Sequence, residues 1–400
     1  MNLAICDFSL DGHRASYIRA IAIGAAKKRW KTTVVLPQEA QAHPAIGAIR
    51  SSIGLGCMVF SDHPMRQLEG TSPLSLMRHH IGNHFAAVKA LEPVLPDCDF
   101  VYFPTLDVMD KAMLVFGTPS GRVPMGGMCM RARFHMTATG VEGRIADRSS
   151  VINEFAFRRL LKTTGVRCIT TSDPTLEIYA RRQGGSDFDK VMFVPELGMV
   201  RPSVAPVEAR RLWGFGPDDK IILIYGAISR RKGVRDLLNA LSGLNGTTIR
   251  VLIVGAADDE MKEYLSTPFV LSLIASGLVR LCVAYSDDNT EAAAFAAADA
   301  VWVAYRDHST MSGVFLQAIC AHVPVITANY GIMAWLASRD GVGISVDPND
   351  TKNVSSQISE MFAESARLCA YREKAAQIAE RHSPSSFGNS ICDAIQASLA

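Results

Sequence analysis

Four hundred residues exceed one ordinary hydrophobic core and fit about two domains of ~150–200 residues each. With 48% hydrophobic and 20% charged residues the chain reads as packed and globular, and a net charge of +2 excludes the strongly basic balance of a nucleic-acid-binding protein. No apolar run approaches the ~20 residues that span a bilayer, and Met1 leads straight into a strand-like segment, so neither an integral membrane protein nor a secreted one is expected.

The halves differ in charge: Lys+Arg minus Asp+Glu is 23 − 18 = +5 over residues 1–200 and 18 − 21 = −3 over 201–400. A mildly basic first half suits an anionic partner or a membrane surface. Nine cysteines carry neither a paired CxxC nor a disulfide framework and read as reduced, mostly buried small hydrophobes.

In chain order, short apolar runs alternate with helical patterns, the signature of βα units and parallel sheets. The predicted strands of the first half are Leu3–Phe8, Thr32–Leu36, Gly56–Phe60, Phe100–Phe103, Val123–Met130, Cys168–Thr171 and Val191–Val194. Those of the second half are Ile221–Tyr225, Arg250–Val254, Val279–Val283, Ala300–Ala304, Val323–Thr327 and Gly343–Val346. We read them as two doubly wound sheets, residues 1–200 and 201–383, with a boundary near Pro202 and Pro206. A last amphipathic helix over 384–400 is expected to pack back on the first domain.

After the first strand, Asp11, Gly12, His13 and Arg14 open a helix running to about Lys28. Loops at strand ends of such sheets bind ligands, so Gly12 offers close backbone approach and His13 or Arg14 a contact to a ligand. The plainer reading is a helix-entry loop capped by Asp11. Lys27, Lys28, Arg29 and Lys31 around Trp30 suit anionic lipid, and equally suit cations that complement a helix C-terminus. His80 and His84 have helical metal-ligand spacing, but we read them as surface or packing residues; Asp97-Cys98-Asp99 reads as a turn before a strand. Arg131, Arg133 and His135 follow another strand.

The strongest local signal is Ile221–Leu241 (IILIYGAISRRKGVRDLLNAL). A buried strand ends at Gly226, a loop delivers Arg230, Arg231 and Lys232, and Gly233 opens an amphipathic helix. Three cations at the carboxyl end of a parallel strand point to a phosphate-bearing ligand; the alternative is a solvated charge run. The second signal is His308–Gly331 (HSTMSGVFLQAICAHVPVITANYG), where Ser312 caps a helix and Gly313 allows a ligand to reach its free N–H groups.

Together the two motifs resemble the donor-binding domain of the family 4 glycosyltransferases. Further markers are Ile169–Leu176 (ITTSDPTL), Val191–Glu196 (VMFVPE), Leu252–Gly255 (LIVG) and Ala297–Tyr305 (AADAVWVAY). The resemblance implies an α/β GT-B fold, two facing Rossmann-like domains with a cleft between them. It implies transfer of a sugar from a nucleoside diphosphate sugar to a hydroxyl of a glycan, lipid-linked or small-molecule acceptor, with retention and without a required metal or other cofactor.

By the same resemblance, Lys232 matches the diphosphate-binding lysine, and with Arg231 and His13 makes the expected catalytic set. Gly12, Arg230, Tyr285, Ser309, Ser312, Gly313 and Gln317 are the expected donor-binding residues, and Arg14, Arg131 and Arg133 the acceptor-side ones. Three positions depart from the family pattern: its arginine after the strand-ending glycine falls on Ala227, and its two glutamates on Ser309 and Gln317. These departures motivate two alternatives, a binding or partner protein without catalysis and a nucleotide-sugar epimerase. The expected location is cytoplasmic, at the inner membrane face if the basic half meets lipid.

Overall fold

The computed structural model describes residues 1–10, 13–54, 56–63, 72–141, 150–198, 203–243, 247–284 and 287–400, with Pro73 described in its backbone only. The chain divides into two units, Met1–Thr139 with Asp147–Leu197 and His382–Ala400, and Gly140–Ala146 with Gly198–Arg381. Part of the proline segment expected at the boundary, residues 201 and 202, lies outside the described residues.

The first unit holds β1 (Asn2–Cys6), β2 (Lys31–Pro37), β3 (Cys57–Ser61), β4 (Phe100–Phe103), β5 (Met125–Met128), β6 (Val166–Thr171) and β7 (Val191–Phe193). They form one parallel sheet in the order β3-β2-β1-β4-β5-β6-β7. The second holds β8 (Lys220–Tyr225), β9 (Ile249–Val254), β10 (Val279–Cys282), β11 (Ala300–Val303), β12 (Val325–Ala328) and β13 (Gly343–Val346), ordered β10-β9-β8-β11-β12-β13. Both orders reverse direction once, between β1 and β4 and between β8 and β11, which is the doubly wound Rossmann arrangement.

Each strand overlaps its sequence expectation, and the differences have local causes. Val123 is in a turn, its N–H donating to the Ser120 carbonyl, so β5 starts later than expected. It ends earlier because the Met130 N–H donates to the Asp107 carboxylate at 2.8 Å. β1 stops at Cys6 because the Asp7 carboxylate turns back to accept from the Phe8 N–H at 2.7 Å.

Two helices on one face of the first sheet, Arg14–Lys27 and Pro384–Leu399, pack with Ile18, Ile21, Phe387 and Ile391 in one core. A Cβ at Gly388 would lie 1.9 Å from the Ala20 carbonyl oxygen and one at Gly24 would lie 2.5 Å from the Gly388 oxygen, so only glycine permits this close crossing. Lys28 joins the same seam: its ammonium pairs with Asp393 at 2.7 Å and donates to Gln396 at 2.7 Å. Lys27 donates to Ser385. Two of the cations considered for lipid contact therefore hold the final helix in place.

The opposite face of that sheet is covered by the helices Pro73–Leu91, Asp110–Phe116 and Ser150–Leu161, whose inner residues Ala87, Met113 and Phe157 share a second core with Val101 and Phe103. His80 and His84 are buried in this layer, and the His80 ring pairs with Asp110 at 3.2 Å. The Asp97–Asp99 segment is a turn whose Asp99 carboxylate accepts from the Asn2 N–H at 2.6 Å. Among the described residues no helix is long and apolar enough to cross a membrane.

Candidate functional site

β8 is apolar from Ile221 onward and fully buried, as an inner parallel strand must be. It ends in Gly226, and the chain then makes a short helical turn at Arg230–Lys232 before Gly233 starts the Val234–Leu241 helix. Gly255 at the end of β9 has φ +133°, and a Cβ there would lie 2.0 Å from the Gly226 carbonyl oxygen; the two strand ends come this close only without a side chain.

The Lys232 side chain folds back under its own loop. Only 3% of the residue is exposed, which separates it from a solvated charge run. Its ammonium donates to the Tyr225 carbonyl at 2.8 Å and to the Tyr305 hydroxyl at 2.7 Å, and lies 4.4 Å from the Tyr305 ring centre. Tyr225 closes β8 and Tyr305 follows β11, so the ammonium sits at the point where the strand order reverses, the place where open α/β sheets bind ligands.

Both acceptors are neutral oxygens. Burial, and the charge of Arg231 next to it, lower the Lys232 ammonium to about 7. Burial likewise pushes the Tyr305 hydroxyl up to about 12, so it stays protonated and bridges. The loop is braced from below: the Trp302 indole N–H donates to the Lys232 carbonyl at 2.9 Å, the Arg306 N–H to the Arg231 carbonyl at 2.8 Å, and the Arg306 guanidinium holds the Asp236 carboxylate.

Ser312 faces this lysine from the other side. Its hydroxyl accepts from the Val314 N–H at 3.2 Å, capping the Gly313–Cys320 helix, and donates to the Tyr305 hydroxyl at 3.4 Å. Gly313 is exposed at the first position of that helix, where N–H groups and the dipole attract an anion. One chain of contacts thus links Lys232, Tyr305, Ser312 and a helix N-terminus.

Arg230 and Arg231 are exposed at the rim. The Arg231 guanidinium lies 5.1 Å from the Tyr305 ring centre and 3.4 Å from the His308 Nδ1. Ser309 is held through its carbonyl by the Ile332 N–H at 2.9 Å. Gln317 donates its amide to the Glu291 carboxylate at 3.2 Å, and Glu291 also accepts from the Tyr225 hydroxyl. Tyr285 lies outside the described residues.

Sequence reasoning passed over Tyr305, Tyr225 and Glu291. Tyr305 was legible in principle, being the first polar side chain after an apolar strand next to β8. Glu291 was not, because its helix enters the site only through the fold.

In the first unit, His13 is exposed with its ring 6.3 Å from that of Tyr17, and Gly12 lies outside the described residues. Arg14 reaches back 3.4 Å to Asp7, which also accepts from the Thr105 hydroxyl at 3.2 Å. Asp7 is buried, and burial raises its carboxyl to about 6 against the opposing pull of Arg14 and its N–H and O–H donors. Arg131 and Arg133 are exposed beyond β5, and the Arg131 N–H donates to Asp107 at 3.4 Å. His135 is instead fully buried, 2.9 Å from Asp173. Among the described residues no three His, Cys, Asp or Glu side chains are grouped to hold a metal.

Residues 219–364 match the family model described as glycosyl transferases group 1. No curated protein matches the chain in sequence. In structure, the whole chain is similar to sucrose-phosphate synthase of Thermosynechococcus elongatus, at 15% identity and a TM-score of 0.64, covering 98% of that chain. A glycosyltransferase of Rickettsia africae matches over the whole chain and 98% of its own length, with a TM-score of 0.64 and 11% identity. HepE of Anabaena, solved in complex with UDP, matches 99% of this chain and all of its own at 15% identity and a TM-score of 0.65. At these identities the structures carry the fold, two Rossmann-like domains of the GT-B type, and the match over 219–364, which spans β8 to β13 with the Lys232 loop and the Ser312 helix, carries the family. Its residues 219–364 thus match the group 1 glycosyl transferases, within a chain that has the GT-B fold.

Proposed function

We propose that the protein transfers a sugar from a nucleoside diphosphate sugar to a hydroxyl acceptor, with retention at the anomeric carbon, and that Lys232 and the Ser312–Gly313 helix start bind the diphosphate. The observation that carries this reading is the buried Lys232 ammonium at the strand reversal, 2.7 Å from a tyrosine that also contacts the helix cap. The complex of the similar HepE with UDP supports a nucleoside diphosphate as donor.

In this reaction the bond between the anomeric carbon and the diphosphate oxygen breaks, the acceptor oxygen bonds to that carbon, and the acceptor proton passes to the departing phosphate. Negative charge grows on the diphosphate as the bond breaks. A fixed ammonium and backbone N–H groups in a site of low dielectric stabilise that charge without reorganising. Arg230 and Arg231 add the second and third cations in place of the arginine absent at Ala227. These cations can carry the neutralisation that a divalent ion supplies elsewhere, so transfer is expected to survive a chelator.

The test is a calorimetric titration of UDP, GDP and ADP, then their sugar conjugates, into the wild type and Lys232→Met. Selective binding of one nucleotide that the substitution abolishes supports the site; equal affinity in both proteins removes it. Release of nucleoside diphosphate on mixing conjugate with candidate acceptors, unchanged by EDTA, then tests transfer.

A further inference from the structure

The chain between β5 and the helical turn Thr137–Thr139 is irregular, yet it is fastened at both ends to carboxylates. At its start the Asp107 carboxylate accepts from the Cys129 thiol at 3.1 Å and from the N–H groups of Met130 and Arg131 at 2.8 and 3.4 Å. At its end the His135 ring lies 2.9 Å from the Asp173 carboxylate and 3.0 Å from the Thr175 hydroxyl, and Asp173 is itself fixed as the cap of the Pro174–Gln183 helix. Phe134, His135 and Met136 are buried, and Ala132 packs against the core that holds Phe134. From 129 to 136 only Arg131 and Arg133 are exposed.

These two arginines stand at the carboxyl end of the first sheet, one strand over from the point where its order reverses. Among the described residues neither guanidinium makes an ion pair or a hydrogen bond; Asp107 feels the charge of Arg131 but spends its oxygens on the loop's own N–H groups and on Cys129. The carboxylates that follow β1, β4 and β6 are all turned to protein groups: Asp7 to Arg14 and Thr105, Asp107 to the loop, and Asp173 to His135 and the Thr175 N–H. Acids face inward here and cations outward. Exposed arginines are ordinary on a surface, but a pair on a loop that carboxylates hold still, at the end where such sheets bind ligands, is a prepared anion site.

We propose that Arg131 and Arg133 bind an oxyanion, phosphate or carboxylate, carried by the acceptor. A planar guanidinium donates two parallel N–H bonds to such a group, and a loop ordered in advance avoids the cost of ordering it on binding. The acceptor class is then an anionic sugar or other anionic alcohol in preference to a neutral one. Arg14 takes no share, because its guanidinium is drawn back to Asp7 at 3.4 Å. Assignment of the anion to an acceptor rests on the transfer reaction proposed above; the anion site itself does not, since the diphosphate has its own cations in the Lys232 loop.

The experiment is a calorimetric titration of the full-length protein, in excess UDP, with glucose 6-phosphate, glucuronate and glucose. It is repeated on the double variant Arg131→Gln with Arg133→Gln and on Lys232→Met. At least one of the two anions is expected to bind where glucose does not, more weakly as salt rises, and preference between them tells phosphate from carboxylate. The double variant is expected to weaken that binding ~10-fold or more while leaving UDP affinity unchanged, and Lys232→Met to leave anion binding unchanged. Both arginines are exposed, so the melting temperature should hold; Arg133→Gln alone removes one of the pair without touching the residues that bond Asp107, and should weaken binding by a smaller factor. Failure of both anions to bind, binding of glucose as tight as theirs, or full anion binding by the double variant overturns the proposal. Anion binding lost in Lys232→Met and kept in the double variant also overturns it, and leaves the donor site standing. Anion binding that needs the arginines, in a protein that binds no nucleoside diphosphate, upholds the anion site and overturns its assignment to an acceptor.

Discussion

The two sheets share one strand order, to which the first adds β7 at its edge, yet the buried charge at their reversal points has opposite sign. In the second unit Lys232 places an ammonium on the last carbonyl of β8, against the Tyr305 hydroxyl two residues past β11. In the first unit Asp7 places a carboxylate directly after β1, against the Thr105 hydroxyl two residues past β4. Topology fixes where the crevice forms, and the residue there fixes what it attracts. A cation held by neutral acceptors is matched to an anion, whereas a carboxylate satisfied by Arg14, Thr105 and the Phe8 N–H is built to hold protein groups in position.

The largest effect expected from this contrast is that of Lys232→Met on nucleotide binding. Removing a charge-assisted contact to a diphosphate costs about 2–3 kcal/mol, or ~100-fold in affinity, read by calorimetry. Folding should not suffer. Methionine fills the stem's volume without a buried ammonium, and the melting temperature should stay level or rise. A melting temperature that falls with affinity would mean that the lysine is structural and the two crevices are alike.

The pH dependence sharpens the same point. The Lys232 ammonium is lowered from 10.5 to about 7, so between those values the unfolded chain binds more protons than the folded one and stability rises with pH through that window. Nucleotide affinity runs the other way, because a diphosphate favours the charged lysine; it should fall by up to about tenfold per pH unit above 7. Both slopes should flatten in Lys232→Met. Melting curves and titrations at pH 6.5, 7.5 and 8.5 measure them.

Reading the sequence reached the strands because most of the inner ones centre on a short apolar run bounded by turn-forming or polar residues, and tertiary pairing has little to add to that pattern. It singled out Lys232, Ser312 and Gly313, the residues proposed for the diphosphate, because a strand end, a cation and a helix cap are local features of consecutive residues. It did not reach what makes Lys232 unusual. Its burial depends on Tyr305, 73 residues away, and on a loop braced by Trp302 and Arg306. In the first unit the sequence drew attention to Lys28, whose charge is used by Asp393 at the far end of the chain, and away from Asp7, whose place beside β4 only the sheet reveals. Local chemistry was legible; long-range pairing was not.

Ser312→Ala should have a smaller effect, since loss of an N-cap costs about 1 kcal/mol and the same hydroxyl reaches Tyr305 only at 3.4 Å. Nucleotide affinity should drop roughly 3- to 5-fold with a slight fall in melting temperature.

Asp7→Asn should leave nucleotide affinity unchanged, and this smallest effect is the most informative about the contrast. The carboxyl is raised from 3.8 to about 6, so the folded state holds its proton more tightly than the unfolded one, and ionisation at neutral pH works against folding. An amide of the same shape removes that cost but loses the charge that draws Arg14 back at 3.4 Å, so stability should change by only ~1 kcal/mol in either direction. If Arg14 positions an acceptor, transfer should fall through the acceptor KM while donor binding is untouched. Weakened donor binding instead would show that the first unit's carboxylate and the second unit's ammonium serve a common ligand, and would end the division of roles drawn from their opposite charges.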